Sequence, residues 1–487
     1  MSAPTPHFDF QRQARQEMIH EGFQPDFPPP VIQEVNSFHA ATGLDGGVSD
    51  LRALLWSSID NTESRDLDQI EWAEPAPEGN IRVRVGVADV DAVVSANSAT
   101  DVHARANATS VYSGGPVFPM LPERLSTDLT SLGPGADRRA IVIEYVVGGD
   151  GQVISSDICR AMVRNQAQLN YNQVGSWLET SPSAASAPFK LAGLGEQLLL
   201  QHEASRRLKA FRKEHGSLVL GGEESTPKIV NNSVQGFDIV RDNPARDLIE
   251  SFMVAANVAM AEFLRARNCP CLRRVVRAPK RWDRIQCLAT ELGAKLPDTP
   301  DARALSEFLA RQKQAAPDHF PELSLAVLKS LGPGIYEVEH PGAEREGHFA
   351  LAVDDYSHST APNRRYADLT MQRLLKATLA GAPAPFSENV LTDLAAHCTE
   401  RETAARHVER FMKKVAAAIM LAPQVGRVFD AIVTGVSPKG TFARLLTVPA
   451  EGRIMRGERG LDVGDKIRVR LAGVDAGKGF IDLETAR

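Results

Sequence analysis

From Ile81 the chain alternates apolar with polar positions, Ile81, Val83, Val85 and Val87 against Arg82, Arg84 and Gly86. That is the period of a half-buried strand, and it predicts one from Ile81 to Val94 with Asp89 near its end. A second strand is expected over Ala140 to Val147, and a third begins with Gly216-Ser217-Leu218-Val219-Leu220. Elsewhere the period is helical. Phe8 to Glu21 and Pro30 to Thr42 form two short segments, and Lys190 to Glu214 a long one. Asn243-Pro244 opens a helix to about Arg267, with Asn as N-cap and Pro in the first helical position. Further helices run from the Pro362 region to Ala380 and from Ser387 to Leu421, the last with room for one break. Beyond Pro423 five short strands separated by glycine turns suggest a small barrel. The expectation is an α+β, multidomain chain: a short helical module over 1–50, a mixed sheet-and-helix domain over 51–422, and a small β-barrel over 423–487.

Composition narrows the class. At 487 residues and 43% apolar the chain can bury more than one core, and no apolar run is long enough to span a bilayer. The first sixteen residues lack the basic-then-apolar order of a secretory signal, so a cytoplasmic location is expected, with no membrane partner and a monomeric chain. Five cysteines without zinc-finger spacing read as reduced structural thiols. The net charge of −6 argues mildly against a nucleic-acid partner. Two basic tracts run the other way: Arg206 to Lys213, and Arg265 to Arg284. Each is as readily a solvated helix face as a phosphate-binding surface. From 426 to 487 eleven Lys and Arg outnumber eight Asp and Glu, a local charge of +3.

The candidate chemistry lies in Ser58 to Glu71, a polar stretch carrying Asp60, Asp66 and Asp68. Short carboxylates on one loop can converge, and crowded carboxylates call for a cation, either an arginine or a hard metal ion such as magnesium or manganese. A solvated acidic turn explains the same spacing. Arg364 stands where a helix begins, so its planar fork and the free N–H groups there suit a phosphate. His358 is read as positional rather than as a general base, and Asp89 as a strand-end acid or a support for the aspartates.

Six ordered segments resemble the ribonuclease II/R exoribonuclease family: Ser58-Ile59-Asp60 with Arg65-Asp66-Leu67-Asp68, Val87 to Val90, Pro119 to Pro122 with Leu125-Ser126, Tyr171 to Val174, Glu250 to Asn257, and Thr360 to Leu369. Gly426 to Asp430, Gly440-Thr441-Phe442 and Val463 to Ile467 resemble its S1 domain, an OB-fold. The resemblance implies a catalytic RNB domain over 51–422 and a metal-dependent 3′-to-5′ exoribonuclease acting on single-stranded RNA. Asp60, Asp66 and Asp68 would hold Mg2+ or Mn2+, and Asp68 and Arg364 would act on the scissile phosphate. Tyr112 would stack on terminal bases, Tyr171 and Glu250 would meet the last ribose, and Glu409 would touch the RNA. Residues 1–50 are too short for the paired cold-shock barrels usual in that family, so a helical module, with helix-turn-helix as one reading, is expected in their place.

The pattern is broken in places. Gln69 stands at the family's fourth aspartate, which leaves either a three-carboxylate enzyme, helped by Glu63 or Glu71, or an impaired one. Ala361 and Asn363 replace the usual Ser and Ile beside the arginine, and Leu220 falls where relatives carry a base-clamping phenylalanine. The rival readings are a catalytically impaired RNA-binding protein on the same scaffold and an exonuclease restricted to short oligoribonucleotides.

Overall fold

The alternation that starts at Ile81 sits inside a six-stranded sheet. This computed structural model describes residues 8–41, 43–44, 46–180, 182–221, 224–317, 319–339, 347–438 and 440–486. The first strands are β1 (Val48–Asp50), β2 (Trp56–Asp60), β3 (Gln69–Pro75) and β4 (Ile81–Ala88). After a small hairpin of β5 (Val111–Tyr112) and β6 (Val117–Phe118) come β7 (Asp137–Val147) and β8 (Val153–Asn170). Their order is β1-β8-β2-β3-β4-β7, and β7 pairs again with β8, so the sheet closes on itself. One long strand makes the closure. Residues 153–164 of β8 run antiparallel to β7, and 165–170 run parallel to β2.

Val83, Val85 and Val87 are fully buried, while Arg82 and Arg84 on the other face pair with Glu74 and Glu144. The strand ends at Ala88 rather than Val94, because the Asp89 carboxylate accepts the Ala92 N–H and opens a 3-10 turn. Asp89 also meets Lys376 at 2.9 Å, which gives this acid a structural partner.

The helices are α1 (Phe10–His20), α2 (Pro29–Ser37), α3 (Ala99–Asn107), α4 (Tyr171–Glu179), α5 (Leu194–Glu214), α6 (Pro244–Ala266), α7 (Trp282–Glu291), α8 (Ala302–Ala315), α9 (Phe320–Leu331), α10 (Tyr366–Leu379) and α11 (Glu388–Leu421). α6 starts as its sequence predicts: Asn243 accepts from the Ala245 and Arg246 N–H groups, and Pro244 follows. α5 and α6 lie side by side against the sheet, burying Leu198, Leu248 and Phe252. α10 is buried almost throughout, and its Arg373 guanidinium reaches Asp91 at 2.9 Å and Asp101 at 2.8 Å. Cutting Arg373 back to Met takes the cation from the buried Asp101, while the half-buried Asp91 keeps Lys376, so Arg373→Met should lose about 3 to 5 kcal/mol, read from a urea midpoint. An unchanged midpoint would show that the two acids find other partners.

One further expectation is corrected and one open reading is decided. The segment from Ser217 to Gly221 is extended but joins no sheet: Leu218 N–H donates to Ala350 O, Gly221 N–H to Ser324 Oγ, and Ser217 O accepts from Ser306 Oγ. With its backbone groups satisfied by α8, α9 and a loop, it has no need of a strand partner. Leu220 rests on the apolar cluster of α7 to α9. The basic tracts are largely absorbed by ion pairs. Arg265 and Arg273 meet Asp355, Arg274 meets Glu402, Lys209 meets Asp247, and Arg206 and Arg207 meet Glu203.

At the N-terminus α1 packs on α11 and α2 on α3, so the two helices dock on different parts of the body. Thr42, the expected end of the second helix, lies outside the described residues. Two antiparallel pairs follow, β9 (Glu224–Val230) with β10 (Ser233–Val240) as a hairpin, and β11 (Cys271–Val275) with β12 (Ile335–Glu339) across the segment that holds α7 to α9. The C-terminal strands β13 (Val428–Ser437), β14 (Gly440–Leu445), β15 (Glu451–Arg456), β16 (Lys466–Asp475) and β17 (Phe480–Thr485) form a closed barrel in the order β13-β14-β15-β17-β16. α11 is unbroken over its 34 residues, roughly 50 Å, and its Ala417, Ala418 and Leu421 join the barrel core. The barrel is therefore anchored by the same helix that packs on α1. Among the described residues no helix is long and apolar enough to cross a membrane.

Candidate active site

Strand ends set the site. Asp60 closes β2, Tyr171 follows the end of β8, and the loop from Asn61 to Asp68 leads into β3. That loop is held by Leu67, which is 2% exposed: its N–H donates to Ser131 Oγ and its carbonyl accepts from Leu132. With Leu67 turned inward, Asp66 and Asp68 flank it in sequence, and the Asp68 carbonyl accepts from the Ala88 N–H.

Asp68 is 3% exposed. Its Oδ1 accepts the Asn363 peptide N–H at 3.0 Å, and its Oδ2 lies 3.5 Å from Arg364 Nε. Burial nevertheless dominates and pushes its carboxyl up to about 7, with Arg364 and the Asn363 N–H pulling the other way. Asp66 is raised as well, by burial first and by Asp60. Asp60 accepts from Ser64 Oγ at 2.9 Å and from the Asn61 N–H.

The Arg364 loop is stitched on both sides. Ser110 N–H donates to Arg364 O at 2.9 Å, and Thr130 Oγ1 donates to Asn363 Oδ1 at 2.6 Å. Asn363, one of the departures from the family pattern, thus ties the loop to the segment after Leu125. Arg365 grips Asp368 through Nε at 2.8 Å and Nη2 at 2.7 Å. α10 begins only at Tyr366, and the N–H groups near Arg364 are engaged: Arg364 and Arg365 donate to Ala361 O, and Tyr366 to Ala108 O. The added backbone donors expected around Arg364 are therefore not free, and its side chain, 43% exposed, acts alone.

Tyr112, 42% exposed, stands beside the aspartates, and its N–H donates to Glu409 Oε1 at 3.3 Å. Tyr171 carries the Arg246 guanidinium over its ring, 4.3 Å from the centroid, and Arg246 Nη2 donates to Asn61 Oδ1 at 3.2 Å. Glu250 is one turn further along α6; its side chain is 61% exposed and 3.9 Å from Arg212. His358 is half-buried, its Nδ1 2.7 Å from Tyr336 Oη, and desolvation, then Arg365 and Arg274, hold its pKa well below the ordinary value. Its partner is thus a buried tyrosine, as a positional role requires.

Gln69 opens β3 half-buried, and Glu71 lies two residues on, directly opposite Ser57. Glu71 has no exposed surface and neither of its oxygens has a partner; burial, then Asp60, raises its carboxyl well above the ordinary range. An oxygen-only donor set with an orphaned buried carboxylate behind it fits a hard divalent cation. Asp60, Asp66 and Asp68 do not bring three oxygens within 4.8 Å of one another. Among the described residues the group that draws three ligand atoms so close is Glu17, His20 and Glu21 on and beside α1, away from this site. The chain therefore brings together Asp60, Asp66, Asp68, Arg364, Tyr112 and Tyr171, joins Glu409 through the Tyr112 backbone, and sets Glu250 beside Arg212. Arg246 was missed by sequence reasoning. Its one signal was a cation in the first turn of a helix, where the macrodipole disfavours it.

Residues 48–381 match the RNB domain model, and 427–486 match the RNase II-type exonuclease C-terminal S1 domain. The chain is 30% identical over 454 residues to ribonuclease R of Escherichia coli, covering 89% of this chain and 54% of that protein. It is 31% identical over 438 residues to ribonuclease R of Thermotoga maritima, covering 86% and 60%. The chain thus spans little more than half the length of these curated relatives. Its fold superposes on Mycoplasma genitalium RNase R solved with ribose-methylated single-stranded RNA, with a TM-score of 0.89 at 23% identity, covering 98% of this chain and 78% of that one.

Proposed function

The chain belongs to the family defined by the RNB domain, and from that premise we propose that it is a 3′-to-5′ exoribonuclease that hydrolyses single-stranded RNA to nucleoside 5′-monophosphates. The observation that carries this reading is the meeting of Asp68 and Arg364, 3.5 Å apart and fixed by the Asn363 N–H, beside two tyrosines. In this reading Asp60, Asp66 and Asp68 hold magnesium, or manganese in its place, with the Gln69 amide and Glu71 as nearby oxygen donors. When bound, the cation would supply positive charge beside the phosphate and would lower the pKa of a neighbouring water.

The protein's own groups do the rest. Arg364 donates its fork to the equatorial phosphate oxygens, more strongly as they gain charge in the transition state. Tyr171 sets the terminal sugar and Tyr112 offers a stacking face, which binds unpaired bases of any sequence. Glu250 and Glu409 are the outlying members of the substrate set, and the C-terminal barrel, locally basic, holds the strand before it reaches the aspartates.

The test is a 5′-labelled poly(A) oligomer incubated with the protein and magnesium or manganese. Stepwise 3′ shortening with release of AMP is expected. An oligomer that stays full length with either metal, yet shifts on a native gel, would sink the catalytic reading and leave an RNA-binding protein.

A further inference from the structure

We propose that Arg246 is the residue that recognises the ribose of the 3′-terminal nucleotide, its guanidinium edge donating to the 2′- and 3′-oxygens. This rests on the exoribonuclease reading given above.

Three observations converge on it. First, position: the guanidinium lies over the Tyr171 ring and donates to Asn61, the neighbour of Asp60, so it borders the space where the last sugar meets the aspartates. Second, charge: the cations around it have acidic partners, Lys209 with Asp247, Arg212 with Glu250 and Arg365 with Asp368. Among the described residues Arg246 has none, only the neutral amide of Asn61. Third, the helix: it occupies the first turn of α6, where a positive charge opposes the macrodipole, so helix stability does not explain it.

The chemistry suits a vicinal diol. A guanidinium stacked on a ring keeps its donors in plane and directed past the ring edge, and only one of five is used. Arg364 serves the scissile phosphate, so a second guanidinium near the Tyr171 hydroxyl is left for the sugar. Both arginines act on that hydroxyl electrostatically. Glu250, the side chain the sequence offers for this contact, is a turn further from the end of α6 and leans toward Arg212.

The experiment uses two RNA oligomers that differ only in the last sugar, ribose or 2′-deoxyribose. Single-turnover rates with magnesium and equilibrium binding in EDTA are measured for the wild type, Arg246→Gln and, as a surface-cation control, Arg206→Gln, each checked for an unchanged melting profile. The wild type should prefer the ribose end on the order of tenfold or more in both measurements, the weight of a charge-assisted hydrogen bond. Arg246→Gln should bring the ratio close to one, and Arg206→Gln should keep it. A Gln variant that slows both substrates equally and preserves the ratio overturns the proposal, because Arg246 would then only brace Tyr171. A wild type that cleaves neither oligomer overturns the exoribonuclease reading instead. The EDTA binding ratio still decides the role of Arg246 in that case, supporting it if the Gln variant loses the preference and overturning it otherwise.

Discussion

Asp68→Asn should lower exonuclease turnover by on the order of a thousandfold or more, leave RNA binding in place, and make the divalent-free protein harder to unfold. The first two effects follow from geometry: an Asn carbonyl still accepts the Asn363 N–H, but the negative charge facing Arg364 is gone. The third follows from burial. In the unfolded chain an aspartate titrates near 3.9, whereas Asp68 in the fold is pushed up to about 7. Between those values the unfolded chain releases the proton while the folded chain retains it, so stability falls as pH rises through the window and levels off above about 7. Three units correspond to about 4 kcal/mol as an upper limit. Asn does not titrate, so the advantage of the variant should be small near pH 4 and largest at pH 8. Urea melts in EDTA at those two pH values check it. An advantage that does not grow with pH would mean that Asp68 is better solvated than its burial implies.

Arg364→Lys should lower kcat by roughly a hundredfold with little change in KM. Lysine keeps the charge but not the planar fork, and the loss falls on contacts that tighten only in the transition state. The side chain is the sole donor at that point, because the surrounding peptide groups are already engaged. Single-turnover rates at saturating RNA separate the chemical step from binding. Retention of kcat within threefold would assign phosphate stabilisation elsewhere.

Legibility in the sequence followed the range of the interactions involved. The valine alternation in β4 and the Asn243-Pro244 start of α6 are local patterns, and both elements begin where their patterns placed them, although β4 stops at Ala88 rather than Val94. The five barrel strands were readable for the same reason. Gly216 to Leu220 misled because an apolar extended segment looks alike whether it pairs with a strand or lies on helices. The basic tracts stayed open because partners such as Asp355 and Glu402 are far off in sequence and meet them only in three dimensions. In the site, the aspartates, Arg364 and the tyrosines were legible as motif residues. Arg246 belonged to no motif, and its placement over Tyr171 depends on how α6 meets the end of β8.

The bond from the Asn363 N–H to Asp68 joins positions 295 residues apart. During synthesis the three aspartates leave the ribosome long before Arg364 exists, and they stay unassembled until the chain beyond α10 has been made and folded. On the exonuclease reading, the nascent chain carries its aspartates without their phosphate-binding arginine until residue 364 has been made.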